Sequence, residues 1–144
     1  MKILLAVDGS RHSLAALACV IRQAGQYREE PRVELVTVHA PVPRLPNLGK
    51  VISKTQIGKY YREEGEARLK AARNKLRLSG IPYEARILVG AAAETIVKHA
   101  RTTRCDLICM GTRGMTELAQ VLLGSTATKV LHISPLPVLL VRSR

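Results

Sequence analysis

The sequence predicts an α/β fold: an open five-stranded parallel sheet of order 3-2-1-4-5 with helices on both faces, a Rossmann-like arrangement. Apolar runs of strand length alternate along the chain with segments in which apolar residues recur at helical spacing. Several of these runs are continuously apolar, which is typical of strands buried on both faces of a parallel sheet. Strands that alternate with helices join through right-handed crossovers. The length of 144 residues fits one domain, so we expect a single domain over residues 1–144.

The first half of the chain predicts two strands and two helices. The apolar run Lys2–Val7 is the first strand, and an Asp-Gly-Ser turn follows it. A helix is expected from Ser10 to Ala24, with Asp8 or Ser10 as its cap. The Val-rich segment Arg32–Ala40 predicts the second strand. Prolines interrupt the next segment, and a longer helix then runs from about Lys59 to Leu78.

Each of these two helices is expected to bury one apolar stripe and to expose its charged residues. The stripe residues recur at helical spacing: Leu14, Leu17, Ala18 and Ile21 in the first helix, and Leu69, Ala72 and Leu76 in the second. Opposite charges four residues apart predict two ion pairs on the second helix, Glu64–Arg68 and Glu66–Lys70.

The second half of the chain continues the alternation of strands and helices. Strands are expected at Pro82–Gly90, at Cys105–Met110 (CDLICM) and at Pro137–Arg142. Helices are expected at Ala91–Thr103, where Ala93, Ile96, Val97 and Ala100 share one face, and at Ser125–Ile133. The resulting order of elements is β-α-β-α-β-α-β-α-β.

Composition limits the classes of function. The formal net charge of +12 favours anionic partners, such as nucleotides, nucleic acid or an acidic surface, without choosing among them. Aromatic residues are scarce, which argues against base-stacking platforms, and no apolar run approaches the roughly 20 residues of a membrane span. Three cysteines provide no disulfide framework, so we expect a reducing compartment, the cytoplasm.

Two segments stand at carboxyl ends of predicted strands. Asp8, Gly9 and Ser10 follow the first strand, and a glycine-containing loop, Met110–Val130, follows the fourth. In a sheet of order 3-2-1-4-5 the first and fourth strands are neighbours across the switch point, where ligands of open α/β sheets bind. The two segments therefore predict one binding site.

The sequence gives no positive sign of a catalytic apparatus. A phospho-receiver needs several acidic residues at fixed positions, but the chain has only two aspartates, Asp8 and Asp106. The four histidines are scattered without metal-ligand spacing, and no nucleophile elbow or Walker lysine is present. We therefore expect no catalytic residues and no protein-held metal.

The glycine loop itself has the features of an anion site. Backbone N–H groups near Gly111, Gly114 and Gly124 can face an anion, and so can the N-terminus of a helix that begins near Ser125. Arg113 adds a positive charge inside the loop, and the hydroxyls of Ser125 and Thr126 add donors. The alternative is a purely structural connection in which Ser125 caps the last helix. Part of the intervening run (Leu118, Val121, Leu122, Leu123) is expected to be packed, as a short helical turn.

The loop also resembles a known family. GTRG, nine further residues and GST are similar to the G-x-x-G-x9-G-[ST] nucleotide motif of the universal stress protein family. ILLAVDGS at the start, CDLICMGTRG in the middle and PLPVLLVR at the end resemble that family too, so the resemblance covers the whole chain. It implies the adenine nucleotide alpha hydrolase-like form of the fold derived above, ATP at the switch point, and a homodimer.

The resemblance also assigns nucleotide-binding roles to particular residues. Asp8, Gly9 and Ser10 would lie against the nucleoside, and Val38 would contact adenine through its backbone. Gly111, Thr112, Arg113 and Gly114 would lie by the ribose and phosphates, and Gly124, Ser125 and Thr126 would hold the phosphates, with Mg²⁺ carried by the nucleotide. Two departures from the family pattern are Ala127, where a hydroxyl is common, and GAAAE after the third strand, where Gly-Asp-Pro is common.

Four functions are therefore in competition. The leading one is a cytoplasmic ATP-binding regulator or sensor of the stress response. The others are a slow ATPase using the same site, a nucleotide-free dimeric interaction module, and an acidic-surface or nucleic-acid binder. The apolar edge strand Pro137–Arg142 predicts a homodimer. The basic residues between positions 50 and 77 go round a helix without a recognition motif, so we expect only weak, salt-sensitive polyanion binding.

Overall fold

The five predicted strands form one parallel sheet. A computed structural model describes residues 1–43, 53–114 and 123–143. The strand order is β3-β2-β1-β4-β5, which confirms the predicted architecture. The strands are β1 (Lys2–Ala6), β2 (Arg32–His39), β3 (Tyr83–Val89), β4 (Leu107–Gly111) and β5 (Val138–Val141).

Four α-helices connect the strands: α1 (Arg11–Gln23), α2 (Lys54–Ser79), α3 (Ala92–Thr102) and α4 (Ser125–Ile133). The predicted start of α2 was wrong, because the helix begins at Lys54 and not near Lys59. A capping box explains the difference: the Ser53 hydroxyl accepts from the Gln56 N–H, and the Gln56 side chain accepts from the Ser53 N–H. The helix ends at Ser79, and its C-cap Gly80 has a φ of +72°, which suits glycine.

Two apolar clusters cover the two faces of the sheet. One cluster joins α1 and α2 to the sheet, and the other joins α3 and α4 to it. Along the central strands, successive side chains enter opposite clusters, as the pleat requires. Leu4 lies in the α3–α4 cluster, whereas Ile3 and Leu5 lie in the α1–α2 cluster. The central strands are thus buried on both faces, as their continuously apolar runs predicted.

The predicted buried stripe of α1 was partly wrong. Ala18 is exposed, whereas Ala16, Cys19 and Val20 are buried, together with His12 and Ser13. The helix is rotated about its own axis relative to the prediction, and its first residues pack closely on β4. A Cβ placed on Gly111 would lie only 2.7 Å from the His12 carbonyl carbon, so the glycine permits this approach.

The charged pairs of α2 also differ from the prediction. Glu66 pairs with Arg73 at 3.1 Å, and Lys59 pairs with Glu63 at 3.7 Å. Arg68 is directed elsewhere, because its guanidinium Nη1 lies 3.5 Å from the Val38 carbonyl oxygen. Tertiary contact has therefore replaced the local pair expected from spacing alone.

A closed ionic cluster lies near the amino ends of β1 and β2. Glu34 is only 1% exposed, and its carboxylate lies 2.8 Å from His99 Nε2 and 3.0 Å from Lys2 Nζ. Arg86 on β3 is 4.0 Å away. Burial acts to raise the pKa of Glu34, but the hydrogen bonds and charges of His99 and Lys2 outweigh it and hold that pKa below its ordinary value.

Two further expectations concern the whole chain. The cysteines Cys19, Cys105 and Cys109 are all buried and free. Of the helices in the described ranges, none has the length and apolar character needed to cross a membrane.

Candidate functional site

A cavity of about 220 Å³ opens where β1, β2 and β4 end and α4 begins. Nine of the eleven expected site residues line it: Asp8, Val38, Gly111, Thr112, Arg113, Gly114, Gly124, Ser125 and Thr126. Gly9 and Ser10 lie beside it in the turn after β1. The structure thus brings together two segments that are about a hundred residues apart in sequence, because parallel strands end at the same edge of the sheet.

Gly9 and Ser10 shape the turn after β1. Gly9 has a φ of +85°, a conformation that favours glycine, and the Ser10 N–H donates to Asp8 Oδ1 at 3.0 Å. Ser10 is the N-cap of α1, since its hydroxyl oxygen accepts from the Ser13 N–H at 3.2 Å. Of the two caps that the sequence offered, the structure uses Ser10. Asp8 lines the cavity as the carboxylate of this turn.

The two ends of the glycine loop are joined directly. The Gly124 N–H donates to the Thr112 carbonyl at 2.7 Å, so this N–H is not available to a ligand. The hypothesis that Ser125 caps the last helix was wrong. Gly124 is the N-cap and Ser125 is the first helical residue. Residues 115–122 lie outside the described residues, and so does the packed turn expected around Leu118.

The N-terminus of α4 has no side-chain cap and opens on the cavity. Gly124 offers no side chain, and the N–H groups of Ser125, Thr126 and Ala127 have no acceptor within the helix. Thr112 also lines the cavity, and its buried hydroxyl makes no hydrogen bond within the described residues. Unpaired donors and the positive end of a helix dipole suit an anion.

The opposite part of the cavity is apolar. Its walls there consist of apolar residues at or just after the strand ends and one residue from α3: Ala6, Val7, Val36, Val38, Met110 and Ile96. Apart from Val38, the sequence did not identify these residues as site residues. Their apolar character indicated only burial, and the sheet register was needed to show that they lie together at the opening of one cavity. An apolar slot beside an anion site suits a ligand with a flat base and a phosphate.

The Ala127 departure has a clear structural consequence. Its side chain is only 2% exposed and lines the cavity near the start of α4. The next hydroxyl does not replace the missing one, because Thr128 Oγ1 donates back to the Gly124 carbonyl at 3.1 Å. At the start of α3, where Gly-Asp-Pro is absent, Ala91 is an N-cap without a side-chain hydrogen bond.

No metal site accompanies this cavity in the described part of the chain, where no three His, Cys, Asp or Glu residues are grouped to hold an ion. Charge at the cavity is of both signs, from the Asp8 carboxylate and the half-buried Arg113 guanidinium. Arg113 is the one cationic residue among the described residues that line the cavity.

Comparison with known proteins gives a consistent result over the whole chain. The universal stress protein family model matches residues 1–142. Universal stress protein MJ0531 of Methanocaldococcus jannaschii is 35% identical over 98% of this chain and 81% of its own length. A universal stress protein of Thermus aquaticus is 36% identical over 97% of both chains.

Solved structures share the fold. The structure of MJ0577 from M. jannaschii superposes with a TM-score of 0.82 at 29% identity, covering 99% of this chain and 96% of that one. A universal stress protein in complex with cAMP has a TM-score of 0.67 at 24% identity, with coverage of 99% and 96%. A family member from Arabidopsis thaliana with AMP bound has a TM-score of 0.70 at 15% identity, with coverage of 100% and 92%. On the family match and these relatives, the chain belongs to the universal stress protein family.

Proposed function

We propose that this protein binds an adenine nucleotide, ATP in particular, in the cavity at the switch point, and acts as a regulator or sensor of the stress response. The observation that carries the proposal is the uncapped N-terminus of α4, which opens on a cavity with an apolar slot. The AMP and cAMP complexes of relatives support the nucleotide class. The three buried free thiols fit a reducing compartment, so we propose that the protein works in the cytoplasm.

Each part of the nucleotide has a matching part of the cavity. The base fits the apolar slot between Val36, Val38 and Ile96, and the ribose lies near the Asp8 carboxylate. The phosphates meet the first-turn N–H groups of α4 and the hydroxyl of Ser125. Mg²⁺ carried by a triphosphate would neutralise the phosphate charge that the protein's own residues do not neutralise.

The test is calorimetry with ATP and with AMP on the wild type and on Gly124→Val. The substitution should leave the fold intact, because Gly124 has a φ of −68° and an added Cβ would meet no atom closer than 3.5 Å. A branched side chain would occupy the space needed by phosphates, so we expect loss of detectable binding. Gly58→Val is the matched control, since a Cβ there meets no atom within 4 Å.

Two results would contradict the proposal. One is equal affinity in the wild type and Gly124→Val, and the other is no binding to wild type from which any co-purified nucleotide has been removed. Phosphate release measured over hours with ATP would separate a regulator from a slow ATPase. A preference for AMP over ATP would point to Ala127, where the hydroxyl is missing.

We also propose that the protein is a homodimer formed through β5. This strand lies at the edge of the sheet, bonded on one side to β4, and its residues are partly exposed. Pro137 and Val141 use their carbonyls toward β4, accepting from Ile108 and Thr112. Because groups alternate along a strand, Val138 and Leu140 present theirs to the open edge, where the same strand of a second copy can pair.

Sedimentation equilibrium at tens of micromolar tests the dimer. Val138→Pro should shift the protein to monomer, because proline removes an outward N–H and spares the bonds to β4. A wild-type monomer would contradict this proposal, as would an unchanged dimer in a folded Val138→Pro variant.

A further inference from the structure

Arg68 contacts Val38, one of the residues that line the cavity, from the other face of the sheet. Its Nη1 lies 3.5 Å from the Val38 carbonyl oxygen, and its backbone packs on the turn after β1, where a Cβ on Gly9 would lie 3.5 Å from Arg68 Cα. The Arg68 Nε is buried and makes no hydrogen bond among the described residues. The guanidinium is thus held beside the Val38 carbonyl, and one of its N–H donors has no partner among the described residues.

The Val38 carbonyl is an acceptor that the sheet does not use. The Val7 N–H donates to the Val36 carbonyl, after which the chain turns away at Asp8 and Gly9. The His39 carbonyl points to the other neighbour, accepting from the Gly90 N–H. By the alternation of a strand, the Val38 carbonyl points toward β1 at a level that β1 no longer reaches. It therefore faces the crevice in which a base would lie.

We propose that Arg68 determines how strongly the site distinguishes a 6-amino from a 6-oxo purine, an inference that rests on the proposed nucleotide function. The 6-amino group of adenine is a donor, and it must share the Val38 carbonyl with the guanidinium. A 6-oxo group is an acceptor that this carbonyl alone would repel, but the guanidinium can donate to it. Arg68 therefore weakens binding of the 6-amino base slightly and strengthens binding of the 6-oxo base. It thereby narrows the difference in affinity between the two bases.

The experiment measures dissociation constants of AMP and of inosine 5′-monophosphate, its 6-oxo counterpart, by calorimetry. In Arg68→Met the carbonyl is free for the amino group and the donor to the oxo group is lost. The ratio of the inosine to the adenosine constant should rise about tenfold or more, the effect of one hydrogen bond to a charged group. Lys70→Met, with the same loss of charge on the exposed side of α2, should leave the ratio unchanged.

The outcomes separate the two proposals. An unchanged or smaller ratio in Arg68→Met would overturn the role of Arg68 while leaving nucleotide binding established. Absence of binding of either nucleotide to the wild type would overturn both. Methionine keeps the aliphatic stem that contacts Gly9, and thermal melting checks the fold. Arg68→Leu, which retains the contacting Cβ and Cγ atoms, is the second variant should the first not fold.

Discussion

Polar groups at the two ends of the sheet differ in whether they have partners within the protein. Near the amino ends of β1 and β2, the buried Glu34 carboxylate is enclosed by His99, Lys2 and Arg86. At the carboxyl ends, the first N–H groups of α4 lie at a cavity without such partners, and the buried Thr112 hydroxyl makes no hydrogen bond among the described residues. Buried polar groups without hydrogen-bond partners lower stability unless a ligand or water supplies the missing partner. The charges at the amino end are paired within the fold, whereas the donors at the carboxyl end are left without partners in the described part of the chain, as the proposed ligand site requires.

The largest expected effect is at the closed end. Glu34→Ala should destabilise the protein by about 3 kcal/mol, because it removes the carboxylate that Lys2 and His99 contact and leaves a cavity at a fully buried position. Nucleotide affinity should not change. The matched control is Glu84→Ala, directly opposite Glu34 on β3 but exposed, with an expected cost below about 1 kcal/mol. Denaturant unfolding of both variants is the measurement, and similar costs in the two would contradict a special role for the cluster.

Two glycines at the carboxyl end should differ in how much stability a substitution costs. Gly111→Ala should cost about 1–3 kcal/mol of stability, because the new Cβ would lie 2.7 Å from the backbone of His12. Gly124→Ala should change stability by less than about 1 kcal/mol, since no atom lies closer than 3.5 Å to that Cβ. Thermal melting without nucleotide tests this order, and the reverse order would show that the loop packs differently.

A single hydroxyl should matter to binding and not to folding. Ser125→Ala should weaken nucleotide binding by about 1–3 kcal/mol, the range for one charge-assisted hydrogen bond. Thr128→Ala is the control, because the Thr128 hydroxyl already donates to the Gly124 carbonyl and should not reach the ligand. Calorimetry on both variants decides the matter. If Thr128→Ala lost as much affinity as Ser125→Ala, the assignment of the phosphate donor would be wrong.

The two ends should also lose stability in different ranges of pH. Burial and the Arg68 charge, against the opposing effect of Glu64, lower the pKa of His39, near the carboxyl end, from its ordinary 6.5. The unfolded chain therefore binds this proton first, and stability should begin to fall as pH drops below 6.5. The pKa of Glu34 is lowered from 4.5, so its contribution is present above that value and is lost as pH falls through the lower folded value.

Denaturant unfolding across pH separates these two contributions. His39→Gln should remove the fall that begins near neutrality, and Glu34→Gln should remove the one at acid pH. A wild-type stability that stays constant from pH 7 to 5 would contradict the assignment to His39.

Sequence pattern alone predicted the class of fold and the place of the candidate site. Continuously apolar runs and helical spacing are consequences of burial, so they predicted five strands and four helices, and the GTRG and GST segments marked the loop that lines the cavity. Element ends were less certain, as the early start of α2 shows, because a cap such as the Ser53–Gln56 pair adds helix beyond the apolar stripe.

Which polar groups have partners depends on the tertiary structure and could not be predicted from the sequence. The exposure of Ala18, the use of Gly124 as an uncapped helix start, the enclosure of Glu34 and the reach of Arg68 to Val38 all depend on contacts between distant segments. Hydrophobic pattern is local and is read along the chain, whereas satisfaction of a charge or an N–H depends on what the fold places within about 3 Å of it. For that reason the sequence could predict the candidate site, and the structure was needed to show which donors in it have no partner among the described residues.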